Sequence, residues 1–318
     1  MKRLVEVLVI CLAVILLAAN AAAAKEKPQT AWALVVQGPA EVHSKASQGS
    51  KVLARLSAGA LLAASDSKLS GGQEWTQVRV VSLATLEAAT GWTESSRLKS
   101  LPLIEYPTDA DLEAILGGPY LEDVNARYTQ IARYLVRIGR DQPALACYIG
   151  SLFIPQTRLQ FFERAGGKWT AGPHLEFMPS QAKTGVTDIE IRDLLGDGNE
   201  CLITHEPFDK TFGARGENLV IRRLEAEQFR TLWEAPLQVR NFSSFPPKIN
   251  VLEPLEKNIG APGTIATGTV DYETNGEVSE PVWKGKVEFY VPGREAPVKT
   301  IQVEKICKWN GSEFGPLN

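Results

Sequence analysis

Histidine, methionine and cysteine are scarce in this chain, with 3, 2 and 4 copies among 318 residues. The histidines, His43, His174 and His205, lie far apart in sequence. Cys201 and His205 have a C-x3-H spacing, but no second close pair joins them, and closed tetrahedral zinc takes four ligands. Neither G-x-S-x-G nor H-E-x-x-H occurs, so two common hydrolase signatures are missing. His205-Glu206 runs into Pro207, which opposes the helix that a zinc peptidase requires. An excess of positive charge is also lacking: 34 Lys and Arg stand against 37 Asp and Glu, a net charge of −3. Nothing therefore points to a nucleic-acid surface. Beyond residue 24 no apolar run is long enough to cross a bilayer.

What is present begins at the N-terminus. Lys2 and Arg3 precede an unbroken apolar run over residues 7–19. Ala22 and Ala24 then give an Ala-x-Ala pattern, followed by polar Lys25-Glu26-Lys27-Pro28. This is the plan of a signal peptide over residues 1–24, and it predicts an exported protein, periplasmic or extracellular. The stretch 4–24 also just reaches the length of an uncleaved anchor, but its short core and cleavage-like site favour removal. Cys11 lies inside the apolar core, away from the cleavage point where a lipidated cysteine must stand. The remaining chain has room for about two domains. Its cysteines, Cys147, Cys201 and Cys307, all sit among apolar neighbours, the setting of buried free thiols. An oxidising compartment would also allow one pair to be bridged. A peptidase role for Cys147 would need a helix N-terminus, whereas Leu145, Ala146, Tyr148 and Ile149 read as a buried strand.

Over residues 30–100 short alternating runs are separated by turn residues, at 32–37, 40–43, 52–56, 61–65, 74–81 and 91–94. Short strands with frequent turns predict a small barrel. Val42, Val52, Leu56, Val78 and Trp92 would fill it, with Gly59 and Gly91 at its bends. The segments Ala40-Glu41-Val42-His43, Val52-Leu53-Ala54-Arg55-Leu56 with Ala58-Gly59, Trp75-Thr76-Gln77-Val78 and Gly91-Trp92-Thr93 follow one another in order. Ser95-Ser96-Arg97-Leu98 trails them. Together they resemble the bacterial SH3-like (SH3b) family, apart from an insertion around 82–89. His43 stands where that family has arginine, and Lys45-Ala46 replaces its glycine-proline. The resemblance implies recognition of cell-wall (peptidoglycan) peptide or of an envelope protein. His43, Trp75 and Trp92 are then the candidate ligand-binding residues. The two tryptophans serve either as groove aromatics or as barrel packing.

Residues 101–107 read as a stiff linker to a β-rich region over 108–318. Thr108, the acids Asp109 and Asp111, and Gly117 predict one short helix at its start, with Asp111 completing a capping box. Strand-turn-strand units then recur at roughly 60 to 80 residues, with Gly166-Gly167, Asn275-Gly276 and Asn310-Gly311 as turns. The run Asp193-Leu194-Leu195-Gly196-Asp197-Gly198-Asn199-Glu200 looks like the aspartate-glycine turn of FG-GAP, integrin-type propeller repeats. The expected fold is mainly β, a small SH3-like barrel followed by a larger antiparallel domain that is either propeller-like or a β-sandwich.

Oxygen ligands crowd that turn. Asp193, Asp197, Asn199 and Glu200 form a candidate calcium site, although Leu195 and Cys201 occupy two positions where the repeat wants oxygen. The competing reading is a turn whose acids bond their own backbone. No other cofactor is expected. Arg127, Arg133, Arg137 and Arg140 interleave with Tyr128 and Tyr134, which strand alternation explains as a solvated face. The expected role is non-catalytic binding in the cell envelope, without nucleic acid and without a membrane span after leader removal. A hydrolase with an unrecognised catalytic domain and a structural scaffold subunit are the alternatives.

Overall fold

The computed structural model describes residues 29–118, 129–137, 143–151, 157–177, 185–210, 214–225, 228–241, 263–291 and 295–315. The leader at 1–24, and Arg127, Tyr128 and Arg140 of the arginine-tyrosine stretch, lie outside them. The chain is mainly β and antiparallel, as its alternation predicts. Among the described residues no helix is long and apolar enough to cross a membrane.

Seven strands come first: β1 (Ala31–Val35), β2 (Ala40–His43), β3 (Val52–Leu56), β4 (Ala60–Ser70), β5 (Gln73–Val81), β6 (Ala88–Glu94) and β7 (Leu98–Leu101). Hydrogen bonding runs β3-β2-β6-β5-β4-β1-β7, and a 3-10 turn at Ser95–Arg97 feeds the last strand. The sheet curls on itself. Ala33 and Val35, Ala40 and Val42, Leu62 and Ala64, and Val78 and Val80 meet in one core. Alternation puts these residues on the concave face and leaves polar ones outside. Closure of β6 on β2 depends on Gly91, where a Cβ would lie 2.6 Å from Val42 Cγ1 and 2.8 Å from the His43 carbonyl.

A helix, α1 (Asp109–Leu116), covers the outer face. Thr108 Oγ1 accepts from the Asp111 amide at 3.3 Å, and Asp111 accepts in return from the Thr108 amide at 2.8 Å. Gly117 ends the helix with φ of 73°, a left-handed value that glycine adopts freely. Leu112 is fully buried against Leu101, Leu145, Cys147 and Phe162. Arg133 is 8% exposed, and its guanidinium pairs with Asp109 and lies over the Trp32 ring at 5.1 Å. Strand alternation had assigned Arg133 to a solvated face. Instead it fastens the helix to the sheet, because α1 brings a carboxylate and Trp32 brings a ring to that side.

Strands β8 (Thr129–Val136), β9 (Ala144–Ser151), β10 (Thr157–Ala165) and β11 (Lys168–Phe177) extend the same sheet to eleven strands. The join is on β4, which pairs β5 and β8 along one edge and β1 along the other. Arg79 donates to Gln130 at 3.2 Å across the same junction. Every residue of β9 is buried, which accounts for its unbroken apolar character.

The second sheet holds β12 (Asp188–Arg192), β13 (Cys201–Lys210), β14 (Ala214–Glu225), β15 (Gln228–Asn241), β16 (Gly263–Asn275), β17 (Val278–Tyr290) and β18 (Lys299–Ile306) in sequence order. Its first strands share a core with the first sheet: Ile189, Ile191 and Leu202 meet Tyr148, Leu159 and Phe177, and Phe161 stacks on Phe229 at 5.1 Å. A separate core surrounds Trp283, whose indole N–H donates to the Pro236 carbonyl at 2.6 Å. Gly268 makes room for that ring, since a Cβ there would lie 2.4 Å from it. The sheet bends far enough that the Ser279 amide donates to the Leu194 carbonyl at 2.7 Å.

Candidate functional site

His43 ends β2, where the chain turns through residues 44–51. That turn is tied by Ser50, whose hydroxyl reaches the carbonyls of Lys45 and Ser47 at 3.0 and 2.9 Å. The same turn aims the Ser50 carbonyl at His43 Nδ1, 3.3 Å away. A carbonyl only accepts, so Nδ1 carries the proton and Nε2 faces Glu41 Oε2 at 3.6 Å. The imidazole is 4% exposed and stands edge-on to Trp75.

A cleft of about 330 Å³ opens beside this ring, lined by Glu41, His43, Gln48, Thr93, Glu94 and Arg97, with Pro39 at its margin. Its charges are cross-linked. Glu41 accepts from Arg55 at 2.9 Å, Glu94 accepts from Gln48 at 2.9 Å, and Arg97 lies 3.9 Å from Glu94. Thr93 is the exception: it is 1% exposed, and its hydroxyl has no hydrogen-bond partner among the described residues. A buried hydroxyl without a partner costs free energy, so Thr93 belongs to the packing behind the cleft.

The three sequence-predicted ligand residues part company here. His43 lines the cleft. Trp75 is 1% exposed and lies behind His43 as packing, so it cannot be a groove aromatic. Trp92 pairs with His43 across β6 and β2 but is outside the cleft lining, half-buried under the Lys68 ammonium at 4.2 Å. The site is polar where an aromatic groove was expected. Gln48, Thr93, Glu94 and Arg97 carried no signal of their own in the sequence, because the β2-β6 pairing and the 3-10 turn bring them together.

The aspartate-glycine turn is closed by its own backbone. Asp193 accepts from the amides of Leu195, Gly196 and Gly198 at 3.2, 2.8 and 2.9 Å. Asp197 accepts from the Asn199 amide at 3.0 Å and from Arg223 at 2.6 Å. Glu200 accepts from the Arg137 amide at 2.5 Å. Among the described residues no group of three or more His, Cys, Asp or Glu is placed to hold a metal ion. In this arrangement Asp193, Asp197 and Glu200 bond backbone amides and Arg223, as in the self-bonded turn that competes with the calcium reading.

The thiols of Cys147, Cys201 and Cys307 are free and buried. Burial pushes the Cys147 thiol up to about 12 and the Cys201 thiol up to about 11. A nucleophilic cysteine needs the opposite shift.

No protein-family model matches the chain, and no curated protein does either.

Proposed function

We propose that the protein is an exported, non-catalytic binding protein of the bacterial cell envelope, and that the cleft beside His43 takes a short stretch of cell-wall peptide. The lining of the cleft carries this reading: Glu41, Gln48, Glu94 and Arg97 set two carboxylates, an amide and a guanidinium around one opening. A peptide offers amide N–H and C=O groups together with charged ends, which suits Gln48, Arg97, Glu41 and Glu94. The volume lies at the lower end of the range for small-ligand sites. The leader-like N-terminus supports the compartment.

Sedimentation with purified sacculi tests the proposal. The protein is expected in the pellet, and Arg97→Ala, a half-exposed position, is expected to weaken sedimentation without changing the circular dichroism spectrum. Wild-type protein left in the supernatant would overturn wall binding, and clearing of the sacculi would overturn the non-catalytic role.

A further inference from the structure

His43 presents an acceptor nitrogen to another acceptor. The Ser50 carbonyl accepts from Nδ1 at 3.3 Å, so Nε2 carries a lone pair. The group that Nε2 faces is the Glu41 carboxylate, whose Oε2 lies 3.6 Å away, beyond hydrogen-bond length. Neither atom has a hydrogen to offer the other. The imidazole is 4% exposed and lines the cleft. A buried acceptor set against a carboxylate costs free energy unless a donor comes between them.

That donor has to serve two acceptors at once. Charge-assisted hydrogen bonds are about 2.8 Å long, and a nitrogen at that distance from both Nε2 and Oε2 fits their 3.6 Å separation. A primary ammonium brings the hydrogens and a positive charge. The lining matches that charge, with the carboxylates of Glu41 and Glu94 against the single guanidinium of Arg97. Arg55 also reaches Glu41, at 2.9 Å, but it stands outside the lining with its side chain 73% exposed, where water screens the pair. An amide N–H brings one hydrogen and no charge.

We propose that the cleft recognises a primary ammonium, held between His43 Nε2 and the Glu41 carboxylate, so that its ligand is a peptide with a free amine. The inference rests on the peptide reading of the same cleft and adds the group that the cleft selects.

Nitrogen NMR of the imidazoles tests this on processed protein from expression of the full chain. His174→Gln and His205→Gln assign the His43 signals by elimination. In neutral buffer His43 is expected to be protonated at Nδ1 alone. Alanyl-alanine is expected to shift the Nε2 signal, and N-acetyl-alanyl-alanine to bind at least about tenfold more weakly. Nα-acetyl-lysyl-alanine carries its amine on the side chain. If it binds in place of alanyl-alanine, the proposal holds and the amine is a side-chain one. Glu41→Gln, at a half-exposed position, is expected to keep the circular dichroism spectrum and lose the discrimination. Three results overturn the proposal: a His43 protonated on both nitrogens, which would itself donate to Glu41; neither amine peptide binding more tightly than the acetylated one; or tighter binding that leaves Nε2 unmoved. Wall binding is judged separately. Sedimentation with sacculi without amine discrimination would keep the wall and remove the amine site. Amine binding at His43 by a protein that stays in the supernatant would do the reverse.

Discussion

The His43 imidazole stands edge-on to the Trp75 indole, with ring centroids 5.5 Å apart and planes at 89°. The contact divides labour between two residues that look alike as ligand candidates. Trp75 is closed off from solvent and supports the ring from behind. His43 is held on its other side by the Ser50 carbonyl and faces Glu41. The wall of the cleft is therefore set by core packing, and its chemistry by polar groups added in front.

Trp75 should matter for stability rather than for direct contact with ligand. Trp75→Ala is expected to cost about 3–5 kcal/mol in urea unfolding, the range for deleting a buried large aromatic. Trp75→Phe should cost clearly less, because the indole N–H has no partner to lose among the described residues. Equal losses in the two variants would mean that the N–H does bond something.

Local structure was legible in the sequence, and distant pairing was not. Thr108, Asp111 and Gly117 lie within one short segment, so the helix, its capping box and its stop could all be read from neighbours. The early strands were legible because turn residues separate them. The join between β4 and β8 was not, since Leu61 and Arg133 are far apart in sequence and no local pattern records their pairing. Arg133 was misassigned for the same reason, as its partners Asp109 and Trp32 come from other elements. At Asp193 the residue types allow either a cation or a self-bonded turn, and the amides that its carboxylate bonds are set by the turn geometry, which the residue types do not record.

The capping box gives stability a pH signature. Side-chain and backbone hydrogen bonds with Thr108 hold the Asp111 carboxyl below its ordinary value of 3.8. A depressed folded value stabilises above the unfolded value and is lost as pH falls through the folded one. Asp111→Asn should therefore be less stable than wild type at neutral pH, and the gap should close as pH falls below 3.8 and through the depressed folded value. Thr108→Ala removes the cap itself and should cost about 1 kcal/mol at neutral pH. Thermal melts of the three proteins across pH 2 to 7 would check the convergence. A gap that persists in acid would place the effect elsewhere than the carboxylate.

Asp193 should act as a fastener of the β12-β13 connection. Its carboxylate accepts three backbone amides, so Asp193→Ala is expected to cost about 1–3 kcal/mol. Millimolar calcium, or chelator, should leave the wild-type Tm where it is, because the oxygens are already bonded to backbone and to Arg223. A calcium-dependent rise in Tm that Asp193→Ala abolishes would restore the cation reading.

Thr93 and Arg97 separate folding from binding. The Thr93 hydroxyl is buried and has no partner among the described residues, so Thr93→Val, which keeps the shape, should raise stability by about 1 kcal/mol or leave it unchanged. The same variant should sediment with sacculi as wild type does, whereas Arg97→Ala, whose side chain reaches solvent at the cleft, should lose sedimentation with its stability unchanged. Urea unfolding and sedimentation of both variants check this. A Thr93→Val variant that keeps its fold and loses sedimentation would mean that the hydroxyl is reached by the ligand after all.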